Sequence, residues 1–221
     1  MAGDNDRNEI SARDEILSRL RDQKREASPP NPWQSRRQFS NLADQFAKAL
    51  RAVAGEVLQV DSWEAAVDQL SLTIRQIGAK RILADDHPEL TRIEAASLWP
   101  DLLWHRVGHG EGNLRGFAAN TDIGLSYADA ALAETGTVVV SSGAGQSRLT
   151  SLMPPVHIAL VPESCLMTDL FTWMKADQAP YPASITLISG PSKTADIEQT
   201  LAVGVHGPGR FIAILYPDES L

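Results

Sequence analysis

The stretch "AETGTVVVSSGAGQSRLTSLMPPVHIALVP", residues 133–162, decides the fold class. Two β-branched runs of strand length, "GTVVVSS" and "VHIALVP", flank a loop of Gly, Ser, Gln and Arg. The second run is apolar at almost every position instead of alternating, as in a strand buried on both faces of a parallel sheet. Between the runs, "SRLTSL" has the composition of a short helix entered from a serine.

The same texture continues outward. "RILAD" (81–85) reads as a short buried strand, "HPELTRIEAASLW" as a helix opened by Pro88, and "SITLIS" and "RFIAILY" as further strands. "ESCLMTDLFTWMK" and "SKTADIEQTLAVG" carry helical spacing, and "DIGLSYADAALAE" reads as a strand turning into a helical or irregular piece. Strands alternating with helices predict an α/β fold with a mostly parallel sheet flanked by helices. Ahead of it stand two amphipathic helices. One is marked by Phe39, Leu42, Ala43, Phe46, Leu50 and Val53. The other is marked by Trp63, Ala66, Val67, Leu70, Ile74 and Ile77, with Asp61 and Glu64 able to cap it and Gly78 to end it.

The N-terminal part differs. "SARDEILSRLRDQKRE" predicts a helix with a narrow stripe of Ile10, Ile16, Leu17 and Leu20, and "SPPNPW" (28–33) an extended linker. The expected organisation is therefore a helical extension and proline-rich linker over 1–33, then an α/β domain over 34–221.

Composition excludes several functions. With 20 basic against 28 acidic side chains and a net charge of -8, no basic surface is expected to hold nucleic acid. One cysteine, Cys165, forms no intrachain disulfide and cannot supply the thiolates of an iron–sulfur cluster. No apolar run is long enough to span a bilayer, and the charged N-terminus lacks a signal-peptide core, so a cytoplasmic protein is expected.

Three segments carry candidate chemistry. In the opening loop, Gly143 and Gly145 are expected to let successive N–H groups converge on an anion, with Arg148 as a bidentate clamp; the alternative is a plain glycine turn with a surface arginine. Glu134, at the entrance of the first strand, is either a base or nucleophile, or a carboxylate that fixes the turn. His157, inside the second strand, is either a satisfied core histidine or a ligand-binding group. In "ISGPSKTADIEQT", Asp196 and Glu198 suit the first turn of a helix, and the sharper reading makes Ser189, Gly190 and Ser192 a second lobe of a site at a strand end, where open α/β sheets bind ligands. In "VGVHGPGRF", His206 is held in a glycine-proline turn within reach of it. His105 and His109 stand four apart, but Gly108 between them argues against a metal-binding helix.

Taken together, "ADAALAETGTVVV", "GQSRLTSLMPPVHIALV", "SGPSKTADIE" and "GVHGPGR", with the opening helix "SARDEILSRLR", resemble the lactate utilization protein C family, the LUD domain. The resemblance implies a fold similar to sugar-phosphate isomerases and CoA transferases. It also implies a part in oxidation of L-lactate to pyruvate beside two iron–sulfur partner proteins, which would carry the clusters while this chain carries no cofactor. The lining of a site for a small carboxylate or phosphate-bearing metabolite would then be Glu134, Gly143, Gly145, Arg148, His157, Ser189, Gly190, Ser192, Asp196 and His206. A homo-oligomer is compatible with this reading. Two other readings stay open: a stand-alone enzyme of the acyl- or sugar-phosphate-handling kind using Glu134, and a non-catalytic interaction subunit.

Overall fold

The computed structural model describes residues 12–22, 33–109, 113–175, 181–195 and 201–218. The chain divides into two compact units, Met1–Trp33 and Gln34–Leu221. The first holds helix α1 (Ala12–Asp22), with an Arg19–Glu15 ion pair of 2.7 Å on its surface. The predicted linker residues 28–32 lie outside the described residues.

The second unit runs α2 (Leu42–Ala52), β1 (Glu56–Gln59), α3 (Trp63–Ile77), β2 (Arg81–Ala84), α4 (Pro88–Thr91), α5 (Ala95–Leu98), β3 (Leu103–Arg106) and α6 (Leu114–Ala118). It continues with β4 (Ile123–Tyr127), β5 (Ala130–Leu132), β6 (Thr137–Ser142), α7 (Arg148–Leu152), β7 (Val156–Pro162), β8 (Leu166–Met167) and α8 (Leu170–Lys175). It closes with β9 (Ser184–Ile188), β10 (Lys193–Ala195), β11 (Leu201–Val203) and β12 (Arg210–Tyr216).

Six strands form one wholly parallel sheet in the order β1-β12-β7-β4-β2-β3. Its central strands are buried on both faces: all seven residues of β7 are buried. One face receives α3, whose Trp63, Leu70 and Ile74 pack on Ile82, Ile123, Ile158 and Ile212. The other receives Phe46 and Leu50 of α2 and the inner face of a second sheet, β8-β5-β6-β9. That inner layer is rich in alanine (Ala131, Ala133, Ala159, Ala213), which lets backbone layers approach closely and still fill the space. Trp173 of α8 covers the outer face of the second sheet.

The caps follow the sequence with one change. Asn41 accepts from the Asp44 N–H to start α2, and Ser62, not Asp61 or Glu64, accepts from Ala65 to start α3. Several elements differ from expectation. The segment expected to be a helix after Ser192 holds a two-stranded antiparallel ribbon, β10 and β11. "DIGLSYADAALAE" is two strands, β4 and β5, and the segment after Pro88 is two four-residue helices broken at Arg92–Glu94. "ESCLMTDLFTWMK" holds a 3₁₀ turn and the short β8 before its helix begins. Strands β1 and β3 and the second sheet as a unit have no counterpart in the expectations from sequence. β1 and β3 are the edges of the main sheet, largely unburied, so they lack the apolar run that marks central strands.

Gly136 turns β5 into β6 with φ at 64° and lies against the backbone of Leu50, where any Cβ would collide. Gly143, at the far end of β6, has open space around it and no positive φ. Replacing Gly136 by Ala is expected to cost about 2–4 kcal/mol from left-handed strain plus overpacking. Gly143→Ala should stay within about 0.5 kcal/mol of the parent. Urea unfolding of both variants checks the contrast.

Candidate functional site

The ten residues singled out from the sequence fall in three places, with Asp196 outside the described residues.

Gly143, Gly145 and Arg148 belong to the β6–α7 connection, which rests on the carboxyl end of β2. Gly145 O accepts from Asp86 N–H at 2.7 Å. Asp85 Oδ1 accepts from Ser147 N–H at 3.2 Å and from the Thr150 hydroxyl at 2.7 Å. The carboxyl group seated at this loop is thus the protein's own. Neither glycine has a positive φ; a Cβ on Gly145 would instead approach Asp86 at 2.9 Å. Arg148 is exposed. Burial pushes the Asp85 carboxyl up to about 7, helped by the Asp129 charge and opposed by the Thr150 and Ser147 hydrogen bonds. Sequence reasoning misses Asp85, although an acid directly after a buried strand is an available signal. Close by, Asp86 pairs with His109 at 2.8 Å, and the His87 ring stacks on Tyr127 at 3.9 Å.

Glu134 sits in the β5–β6 turn. Its carboxylate pairs with Arg37 at 2.7 Å and its N–H donates to Thr168 O at 3.0 Å. The two threonines of this turn, Thr135 and Thr137, join their hydroxyls at 2.6 Å, and Thr137 joins the Ser189 hydroxyl at 2.6 Å. Ser189 connects this turn to the third place.

That third place is a cavity of about 250 Å³ at the amino ends of β7 and β12. It gathers His157, Ser189, Gly190, Ser192 and His206, together with Ser151, Thr186 and Phe211. His157 and Phe211 are register partners on adjacent parallel strands, and their rings lie 5.2 Å apart. The turns before β10 and before β12 interlock at the rim, where Ser192 N–H donates to Pro208 O and Gly204 N–H to Ser192 O. The sequence reading expects these residues at carboxyl ends of strands; Ser189 and Gly190 do follow β9, but the main sheet meets them at its amino edge.

His157 is wholly buried. Its Nε2 lies 2.8 Å from the Ser126 hydroxyl, and its Nδ1 has no partner among the described residues. Burial drives its pKa down to about 3, so the ring is neutral at physiological pH. Among the described residues, no Lys, Arg, Asp or Glu lines the cavity. Several hydroxyls and an exposed histidine at the rim suit a small molecule bearing oxygen acceptors. Among the described residues, no group of His, Cys, Asp and Glu is arranged to hold a metal ion, and no helix is long and apolar enough to cross a membrane.

Residues 43–216 match the family model described as the LUD domain. The chain belongs to the LUD domain family. Lactate utilization protein C of Halalkalibacterium halodurans is 35% identical over 168 residues, covering 73% of this chain and 72% of that protein. The Macrococcus caseolyticus protein of the same name is 31% identical over 207 residues, covering 85% and 86%. The Bacillus subtilis one is 35% identical over 150 residues, covering 65% and 59%. The crystal structure of a DUF162 family protein from Deinococcus radiodurans superposes with a TM-score of 0.59 at 20% identity, over 79% of this chain and 96% of that one. At that identity the likeness bears on the fold, and it agrees with the α/β architecture.

The buried carboxyl of this LUD domain has a stability consequence. Its folded pKa, about 7, lies above the unfolded value of 3.8, so the fold favours the protonated form. The group therefore costs nothing below pH ~4, costs progressively more as pH rises to 7, and the penalty is constant above that. Asp85→Asn keeps the acceptor oxygen for Ser147 and Thr150. It is expected to raise stability at pH 8 by up to a few kcal/mol, each tenfold change in the acid's ionisation constant being worth ~1.4 kcal/mol, with the gain vanishing toward pH 4. Denaturant midpoints of both proteins across that range check the sign.

Proposed function

We propose that this LUD domain acts in L-lactate oxidation to pyruvate as the subunit that binds the small carboxylate, beside two iron–sulfur partner proteins whose clusters take the two electrons. The names of the relatives support the lactate-utilization part of this reading. The division of labour rests on the family resemblance and on Cys165. It is the chain's single cysteine, too few to hold a cluster, and burial with the nearby Asp218 and Asp129 charges pushes its thiol up to about 12.

The observation that carries the reading is a cavity of about 250 Å³ lined by Thr186, Ser189 and Ser192, with the exposed His206 at its rim. Hydroxyl and imidazole N–H groups donate to the oxygens of a small carboxylate. Glu134 has no such opening, because Arg37 holds its carboxylate.

Purified chain is combined with the two iron–sulfur partners, and pyruvate formed from L-lactate is measured with and without it. Addition of this chain is expected to raise the rate. His206→Ala removes the rim imidazole, and a folded His206→Ala chain should give at least about tenfold less of that increment, the scale of one lost hydrogen bond to the ligand. A rate indifferent to the chain would remove it from the oxidation altogether.

A further inference from the structure

Each of the two larger sheets ends in two edge strands, and three of the four are blunted. β1 carries Glu56, locked to Arg210, β3 carries His105 and Arg106, and β8 is two residues long. The fourth is β9, "SITLI", which has no charge, proline or glycine and, among the described residues, pairs with β6 alone. Natural edge strands commonly carry a charge, a proline or a bulge that stops another chain from adding to them. β6 beside it is buried at five of six positions, whereas no residue of β9 is buried.

The ladder shows which backbone groups are open. Val139 O accepts from Asp129 N–H on the β5 side, and Ser142 O accepts from Ala183 N–H on the β9 side. Alternation along β6 therefore turns Val138, Val140 and Ser142 toward β9, and their register partners Ile188, Thr186 and Ser184 turn back to β6. Ile185 and Leu187 are left with their N–H and C=O groups on the open edge. Their side chains share the outer face of the sheet, where Ile185 packs against the cluster of Val139 and Trp173 and Leu187 is 46% exposed. Thr186 and Ile188 belong to the opposite, inner face and line the cavity, beside the exposed Leu152.

Charge decides what pairs there. A contact between identical chains brings charges to face copies of themselves, and this chain carries a net charge of -8. β9 and the described lining of the cavity hold no Lys, Arg, Asp or Glu, so a two-fold on this edge sets no like charges against each other. We infer that a second copy of this chain adds its β9 antiparallel to the first, about a two-fold axis at Thr186, joining two four-stranded sheets into one of eight strands. Ile185 then lies opposite Leu187 of the partner subunit, and each such pair exchanges two backbone hydrogen bonds and covers two apolar side chains. Thr186 meets Thr186 of the partner subunit as the central non-hydrogen-bonded pair, with Cα atoms about 4.5 Å apart. The second copy thus supplies a hydroxyl to the wall of each cavity, whatever the cavity binds.

Sedimentation velocity of the full chain, from about 1 to about 100 µM, is the first test. An interface built on one short strand should give a monomer–dimer equilibrium with a dissociation constant on the order of micromolar. Raising salt from about 50 to about 500 mM should tighten it, because screening relieves repulsion between two acidic chains, whereas an interface of ion pairs would weaken. Leu187→Lys puts a lysine on the shared edge and should raise the dissociation constant at least about tenfold. Leu103→Lys, at the exposed leucine of the β3 edge, should leave it unchanged. In a Cys165→Ala background, Thr186→Cys should give a disulfide-linked dimer under mild oxidation, since the paired Cα atoms lie within disulfide reach.

A wild-type chain that stays monomeric over this range overturns the inference and leaves the edge to a different chain. A dimer that Leu187→Lys leaves intact, or that Leu103→Lys abolishes, overturns it by placing the contact elsewhere. A dimer whose Thr186→Cys chains do not cross-link overturns the two-fold at Thr186 and the shared cavity wall with it.

Discussion

A strand in the middle of a parallel sheet has no wet face, and every polar group it carries must be answered from within the protein. β7 meets this constraint with one exception. Its backbone is paired on both sides by β12 and β4, its apolar residues divide between two cores, and its single polar side chain, His157, is answered at Nε2 and not at Nδ1. The rest of the site is arranged about that ring. Phe211 flanks it from the next strand, and the turns before β10 and β12 close over the cavity it lines.

Close packing of backbone is what brings a second sheet and a helix onto this face. At Gly124 the β4 backbone lies directly under the Thr150 carbonyl of α7, so closely that no Cβ would fit. At Gly136 the β5–β6 turn meets the backbone of α2 in the same manner. The alanines of the shared core continue this thin layer between the sheets. α7 therefore runs across the sheet from Asp85 at the carboxyl end of β2 to Ser151 and Leu152 at the cavity, linking the two ends through five residues.

What can be read in the sequence follows burial. β6, β7 and β12 are strongly apolar and β-branched, and α2 and α3 bury one stripe each, so period and composition expose them. β1, "EVLQ", and β3, "LWHR", are short edge strands whose ladders are set by neighbours remote in sequence, and four residues of mixed character carry no period. The ribbon of β10 and β11 imitates a helix in sequence because acids after a Ser-Gly-Pro-Ser turn resemble a helix start; the pairing of Lys193 with Val203 is a non-local fact. In the site, the family pattern groups His157, Ser189, Gly190, Ser192 and His206, which do line one cavity. Ser126 and Asp85 escape, because a serine within "IGLSY" and an acid after "RILA" acquire meaning only from partners 31 and 65 residues away.

The placement of charge bears on which end of the sheet suits an anion. At the carboxyl ends of β2 and β4, where the chain diverges to opposite sides and an α/β sheet ordinarily opens a ligand crevice, stand Asp85, Asp86 and Asp129. The α7 terminus donates to the Asp85 carboxyl, and the glycine loop accepts from the Asp86 backbone N–H. Asp85 is raised to about 7 in part by the field of Asp129, and an arriving carboxylate would meet the same repulsion. The amino-end cavity carries no acid among its described lining residues, in a chain whose net charge is -8. Acids thus gather at the end of the sheet where fold analogy would put an anionic ligand, whereas the described lining of the amino-end cavity offers hydroxyls and no acid.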